Sequence, residues 1–235
     1  MTNPPRTANR RERLRAQTLQ EIEDESFAII DADGVHALSI AALARGMAMS
    51  APAVYRYFPS RDALVAHLAG LAYGQLAAAM SQAVGSSRGT PRTRVRLLVG
   101  AYREWALRYR RRYGMLFGER AGDLPGDAAA HTPLDQAMAL LIDLLTATPD
   151  GPPPDGPPPD GSSGDRTLDK QLRLWARAQE RPDAGPRASR AAITIWTRVH
   201  GIVSLELTGI FANHTIEAQR LIDLEIDDAI APLIH

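Results

Sequence analysis

Apolar residues recur along this chain at helical spacing, and stretches with the strict alternation of a half-buried strand are scarce. The first periodic segment predicts a helix over 10–32. Its apolar face is Leu14, Leu19, Ile22, Phe27, Ile29 and Ile30, and Asp33-Gly34 is its stop. Ser39 is placed to cap a second helix over 40–46, which ends in a tight turn through Met47, Ala48 and Met49. Ser50 is placed to cap a third helix ending near Tyr57, with Pro52 in its first turn, where a missing N–H does little harm. Ser60 is placed to cap a fourth over 61–84. Further periodic segments predict helices over 93–109 with a short continuation through 112–117, then over 134–146, 168–179, 187–211 and 216–230. Polar or Pro/Gly-rich breaks at 85–91, 118–133 and 181–186 separate them. The expected fold class is therefore all-α.

Two segments fall outside this pattern. Residues 149–165 read PDGPPPDGPPPDGSSGD, with almost nothing apolar to bury and with proline and glycine opposing both helix and sheet. They are expected to form an exposed, disordered loop, a reading preferred over a polyproline ligand for a partner domain. Residues 1–9 are expected to be a disordered basic arm.

Composition narrows the chemistry. The chain has no cysteine, which excludes disulfides, thiolate metal sites and a thiol nucleophile. Residues 1–20 are basic and polar and lack the apolar core of a signal peptide. No uninterrupted apolar run has the length of a bilayer span, so a cytoplasmic protein without a membrane partner is expected. The 27 basic side chains balance the 27 acidic ones, but unevenly along the chain. Arg6, Arg10, Arg11, Arg13 and Arg15 crowd the start against Glu12 alone, and a second basic stretch runs over 88–112. Asp223, Glu225, Asp227 and Asp228 make the other end acidic.

The informative segment is SIAALARGMAMSAPAVYRYFPSRDAL, residues 39–64. Two short helices joined by a tight turn present the second as a probe of major-groove dimensions. Ser39 and Ser50 offer hydroxyls and free N–H groups at helix starts, which suits phosphate oxygens. Tyr55 and Tyr57 each carry a phenolic donor, Arg61 can reach a phosphate, and Ala51 and Ala53 can meet thymine methyls. Arg45 can contact a guanine or a phosphate, and the N-terminal arginines can enter a minor groove. Phe58 and Leu64 are expected core residues.

In this helix-turn-helix and in Tyr55-Arg56-Tyr57-Phe58-Pro59-Ser60-Arg61-Asp62-Ala63-Leu64 the chain resembles the tetracycline-repressor (TetR) family of one-component regulators. Arginine stands at 61 for the commoner lysine, and Ala48 holds the turn position where the family usually has glycine. The resemblance implies a DNA-binding head over 10–64, linked by helix four to a helical effector-binding and dimerisation domain over 65–235. It also implies a homodimer joined through the last two long helices, and a pseudo-palindromic operator. The pattern Trp196-x3-His200-Gly201 resembles a C-terminal subgroup of that family named for those residues.

The helix over 187–211 is apolar on several sides and must be covered on several sides. Trp105, Tyr109, Phe117, Met138, Leu141, Trp175, Trp196 and His200 are the candidates for binding a small, mostly apolar effector, with core packing as the competing role for each. Catalysis, with His200 and either Glu206 or Glu104 as an acid–base pair, is disfavoured: metal spacing, nucleotide loop and nucleophile elbow are all missing. No cofactor is expected. The remaining rival is a helical interaction protein that does not bind an operator.

Overall fold

The computed structural model describes residues 6–118, 128–147 and 165–234. The Pro/Gly/Asp-rich segment lies outside the described residues except for Asp165, as do residues 1–5 of the basic arm. The described residues form helices and no strand: α1 Arg6–Asp33, α2 Ile40–Gly46, α3 Ala51–Tyr55, α4 Arg61–Gly85, α5 Pro91–Arg108, α6 Arg110–Phe117, α7 Ala128–Thr146, α8 Arg166–Ala178, α9 Pro186–Leu207 and α10 Ala218–Ile234.

Several boundaries differ from the sequence expectation for local reasons. Helix α1 begins at Arg6, so residues 6–9, expected as disordered arm, form its first turn. No proline or glycine interrupts the run from there. Helix α7 starts at Ala128 because an alanine run, with the strongest intrinsic helix preference, precedes Leu134. Helix α9 stops at Leu207 rather than 211, since Gly209 takes φ 81° just beyond its end. The Ser39 hydroxyl accepts from Ala42 N at 3.1 Å and Ser60 from Ala63 N at 3.0 Å, as their cap positions require. Ser50 occupies the cap position of α3 with extended backbone, but its side chain makes no cap bond.

The helices divide into two compact units, one of Met1–Tyr73 with Tyr109–Ala130, the other of Gly74–Arg108 with His131–His235. The first unit thus includes the helix-turn-helix and α6, and its edge does not fall at Leu64. Its core gathers Ile22, Phe27, Ile30, Leu38, Leu43, Val54, Phe58, Leu64 and Leu116, all buried. Arg112 ties α6 to α1. Its guanidinium lies 4.0 Å from the Phe27 ring centroid and 4.5 Å from that of Tyr109, and Nη2 donates to Asp31 Oδ2 at 2.6 Å.

In the second unit the arginines of α5 meet the acids of α9 and α10. Arg92 and Arg96 each reach Asp227 at 2.5 Å, and Arg103 forks onto Glu206 at 2.6 and 2.8 Å. Hydrogen bonding from Arg92 leads the effects that hold the Asp227 carboxyl below the usual carboxylate range. Arg198 of α9 pairs with Glu225 of α10. Among the described residues α4 alone has the length and apolarity to cross a membrane, and half of that window is buried inside the fold, as in a core helix.

The turn between α2 and α3 closes through Met49 N donating to Ala44 O at 2.9 Å, with Ala48 at φ 50°. A left-handed alanine costs about 1–2 kcal/mol. Ala48→Gly removes that strain but adds about 0.4–1 kcal/mol of backbone freedom to the unfolded chain. The expected net effect is stabilisation of roughly 1 kcal/mol, read as a small rise in melting temperature. An unchanged or lower midpoint would show that the turn is not strained.

Candidate functional site

Helix α3 is only five residues long, too short to persist on its own hydrogen bonds. Val54, fully buried, anchors it to the first unit's core, and Phe58 is buried just beyond it. That single anchored side leaves the rest outward: Tyr55 is 51% exposed, Pro52 is exposed, and Ala51 and Ala53 are half-buried. The segment is therefore a presented rod and not core filler. The chain turns at once after Tyr55, with Tyr57 N and Phe58 N both donating to Val54 O, at 2.9 and 3.1 Å. Arg45 on α2 is exposed, and Ser39 and Ser50 sit at the starts of α2 and α3. Tyr57 is half-buried, and the Arg15 guanidinium lies 5.8 Å from its ring centroid.

Arg61 is placed differently from its expected role. Its Nε donates to Leu38 O at 2.8 Å and Nη2 to Val35 O at 2.7 Å, with Nη1 3.6 Å from Asp62. The side chain closes the link between α1 and α2 by satisfying carbonyls that no helix serves. The arginines without a carboxylate partner among the described residues include Arg11, Arg15, Arg45 and Arg56. The sequence reading passed over Arg56, whose signal was its position directly after Tyr55.

The candidate effector residues split between the units. In the second unit Met138, Leu141 and Trp196 line a small apolar cavity with Met80, Tyr102 and Ile195. Its open volume is about 10 Å³, the space of a single water. Beside it Tyr102 Oη lies 2.8 Å from His200 Nδ1; Trp196 stacks on His200 at 5.7 Å and meets Tyr102 edge-on at 5.1 Å. Burial pushes the His200 pKa down, favouring the neutral ring, to which the Tyr102 hydroxyl can donate. Trp105 is buried and Trp175 half-buried, neither on this cavity. Tyr109 and Phe117 belong to the first unit. Tyr109 lies against Arg112 and Phe117 packs on Tyr73 and Tyr113, at 5.8 and 4.9 Å. Sequence spacing put all eight on helices but could not separate the two units, and it missed Tyr102.

Among the described residues neither Glu206 nor Glu104 is placed as the expected acid–base partner of His200. Glu206 is held by Arg103, Glu104 is exposed, and His200 faces Tyr102. The described residues contain no cluster of three metal-ligating side chains.

A helical head that presents a short, singly anchored helix after a tight turn, joined in one chain to an all-helical second unit, defines a helix-turn-helix DNA-binding regulator. Residues 22–68 match the model described as bacterial regulatory proteins of the tetR family, and residues 95–229 match the tetracyclin repressor-like C-terminal domain. The chain belongs to the TetR family of transcription regulators and is not an enzyme. Among solved structures it is similar to the regulatory protein SCO4313, with 32% identity and a TM-score of 0.74 over 94% of this chain and 98% of that one. It shares its fold with a protein of unknown function from Rhodococcus sp. RHA1 (23% identity, TM-score 0.65, 91% and 94% covered). The same holds for a tetR family transcription regulator from Shewanella sp. PV-4 (15% identity, TM-score 0.53, 91% and 94% covered). No curated protein sequence matches the chain.

Two outcomes follow from this geometry. Arg61→Ala removes two charge-assisted bonds to carbonyls. Discounted for its partial exposure, that loss should destabilise the protein by about 2 kcal/mol in denaturant unfolding. Unchanged stability would mean that the carbonyl contacts carry no weight. Because the folded-state pKa of His200 lies below its unfolded value, its contribution is fully present above the ordinary histidine value, about 6.5. It is lost as pH falls through that value towards the lower folded pKa. Wild-type stability should decline over that window and the decline should flatten in His200→Asn; identical profiles would contradict the buried neutral ring.

Proposed function

We propose that this TetR-family regulator is a homodimeric repressor that reads a pseudo-palindromic operator and is released by a small, mostly apolar effector. The observation that carries the DNA half of this reading is the outward rod Ala51–Tyr55, held by Val54 alone. Tyr55 and the methyl groups of Ala51 and Ala53 face the major groove, Tyr57 and the helix starts at Ser39 and Ser50 serve phosphates, and Arg45 contacts a base or phosphate. Arg61 positions the head by fixing the chain before α2.

Dimerisation through α9 and α10 is supported by large apolar side chains left exposed there, Leu205 at 47% and Leu224 at 62%. Two heads then meet two half-sites, and any change in their separation weakens binding. The effector enters at the cavity of Met138, Leu141 and Trp196, where Tyr102 and His200 supply the polar contact. A cavity this small opens only by side-chain movement, which couples occupancy to the helices around it. Trp196, His200 and Gly201 support placing the second unit in the Trp-His-Gly subgroup. The protein acts in the cytoplasm.

Selection of random duplex DNA by the purified protein tests this reading. It should enrich an inverted repeat whose half-sites lie about one helical turn apart or a multiple of it. Enrichment of a single asymmetric site would contradict the dimeric reading, and no enrichment at all would contradict operator binding.

A further inference from the structure

A groove of about 410 Å³ lies on the first unit, lined by Arg11, Leu14, Arg15 and Thr18 of α1 and by Arg56 and Tyr57 beyond α3. Its α1 wall is a single stripe. Residues 11, 15, 18 and 22 are spaced four, three and four apart, so they share one face of the helix. Ile22 on that stripe is fully buried in the head. Towards the N-terminus the same face emerges from the core and becomes arginine.

Because these residues are helical from Arg6 onward, the arginines stand on a rod continuous with the buried part of α1 and not on a loose tail. Arg15 is oriented by the Tyr57 ring, 5.8 Å away. Arg56 follows directly on Tyr55, so the groove opens where the presented helix ends.

The charge arrangement is unfavourable in the isolated protein. The first turn of α1 holds no acid, and cations crowd the positive end of its dipole. Arg11, Arg15 and Arg56 have no carboxylate partner among the described residues, whereas Arg92, Arg96 and Arg103 of α5 are all matched to acids. Three unmatched guanidinium groups converging on one groove call for a polyanion. Thr18 adds no donor, because its hydroxyl already donates to Leu14 O at 3.0 Å. Leu14, 54% exposed between the arginines, offers an apolar contact of the kind a sugar ring can cover.

We infer that this groove seats a stretch of the DNA sugar-phosphate backbone beside the major groove read by α3. Arg11, Arg15 and Arg56 neutralise its phosphates and carry no base information. The inference rests on the operator-binding reading and replaces minor-groove insertion as the role of Arg11 and Arg15. The anchoring of α1 sets where the backbone must pass, so the groove fixes the docking angle of α3 as well as adding affinity.

The test compares full-length wild type with Arg11→Ala/Arg15→Ala and Arg11→Lys/Arg15→Lys on the operator recovered by selection. Binding is measured across a range of salt concentrations, with circular dichroism and melting as controls of folding. The alanine pair should lower the slope of log affinity against log salt by about two and weaken binding roughly ten- to a hundred-fold at 0.1 M salt, with the same preferred sequence. The lysine pair should restore most of the slope, since a point charge suffices for a phosphate. A folded alanine pair with the wild-type slope would overturn the groove and leave operator binding intact. Altered base preference at the operator flanks would overturn the phosphate role in favour of minor-groove reading. If the wild type itself enriches no DNA, the operator reading falls, and the groove with it.

Discussion

The functional surface of this protein depends on keeping a helix of five residues in place. A helix that short has almost no intrahelical stabilisation, so tertiary contacts must supply its persistence. Val54 supplies the one buried side, backbone bonds from residues 57 and 58 back to Val54 close its end, and Ala48 takes a left-handed conformation to aim it. Arg61 contributes from a distance by holding the carbonyls of Val35 and Leu38 before α2. Each element leaves the outer face of α3 free, and that freedom is what a reading head requires.

Electrostatics divides the molecule in a way that its zero net charge conceals. In the second unit, arginines of α5 are matched by Asp227 and Glu206, and Arg198 by Glu225. These pairs join helices to one another. In the first unit Arg11, Arg15 and Arg56 have no carboxylate partner among the described residues. Formal neutrality therefore hides a local cluster of arginines on one groove of the first unit, a local distribution that suits binding to a polyanion.

Much of this was legible in the residues. Helical spacing and the caps Ser39 and Ser60 located α2 and the start of α4 correctly, because those signals are local. The buried roles of Phe58 and Leu64 followed from the same pattern. Arg61 was legible only as a cation near DNA; that its donors reach residues more than twenty positions earlier is a tertiary fact. Likewise Tyr109 and Phe117 share helical spacing with Trp105, yet the break at Tyr109 puts them in the other unit. The pairing of the 88–112 basic stretch with distant acids was hidden for the same reason. Ser50 shows the converse: a residue of the right type at the cap position makes no side-chain bond, because proline in the first turn leaves fewer donors to satisfy.

The central claim is that the outer face of α3 is open in the free protein and covered by DNA in the complex. Hydroxyl-radical oxidation of Tyr55, quantified by mass spectrometry with and without saturating operator duplex, tests it most directly. Tyr55 should oxidise readily in the free protein and become protected in the complex, while buried Tyr113 stays unreactive in both. Tyr55 that stays equally reactive when the duplex is bound would contradict the account.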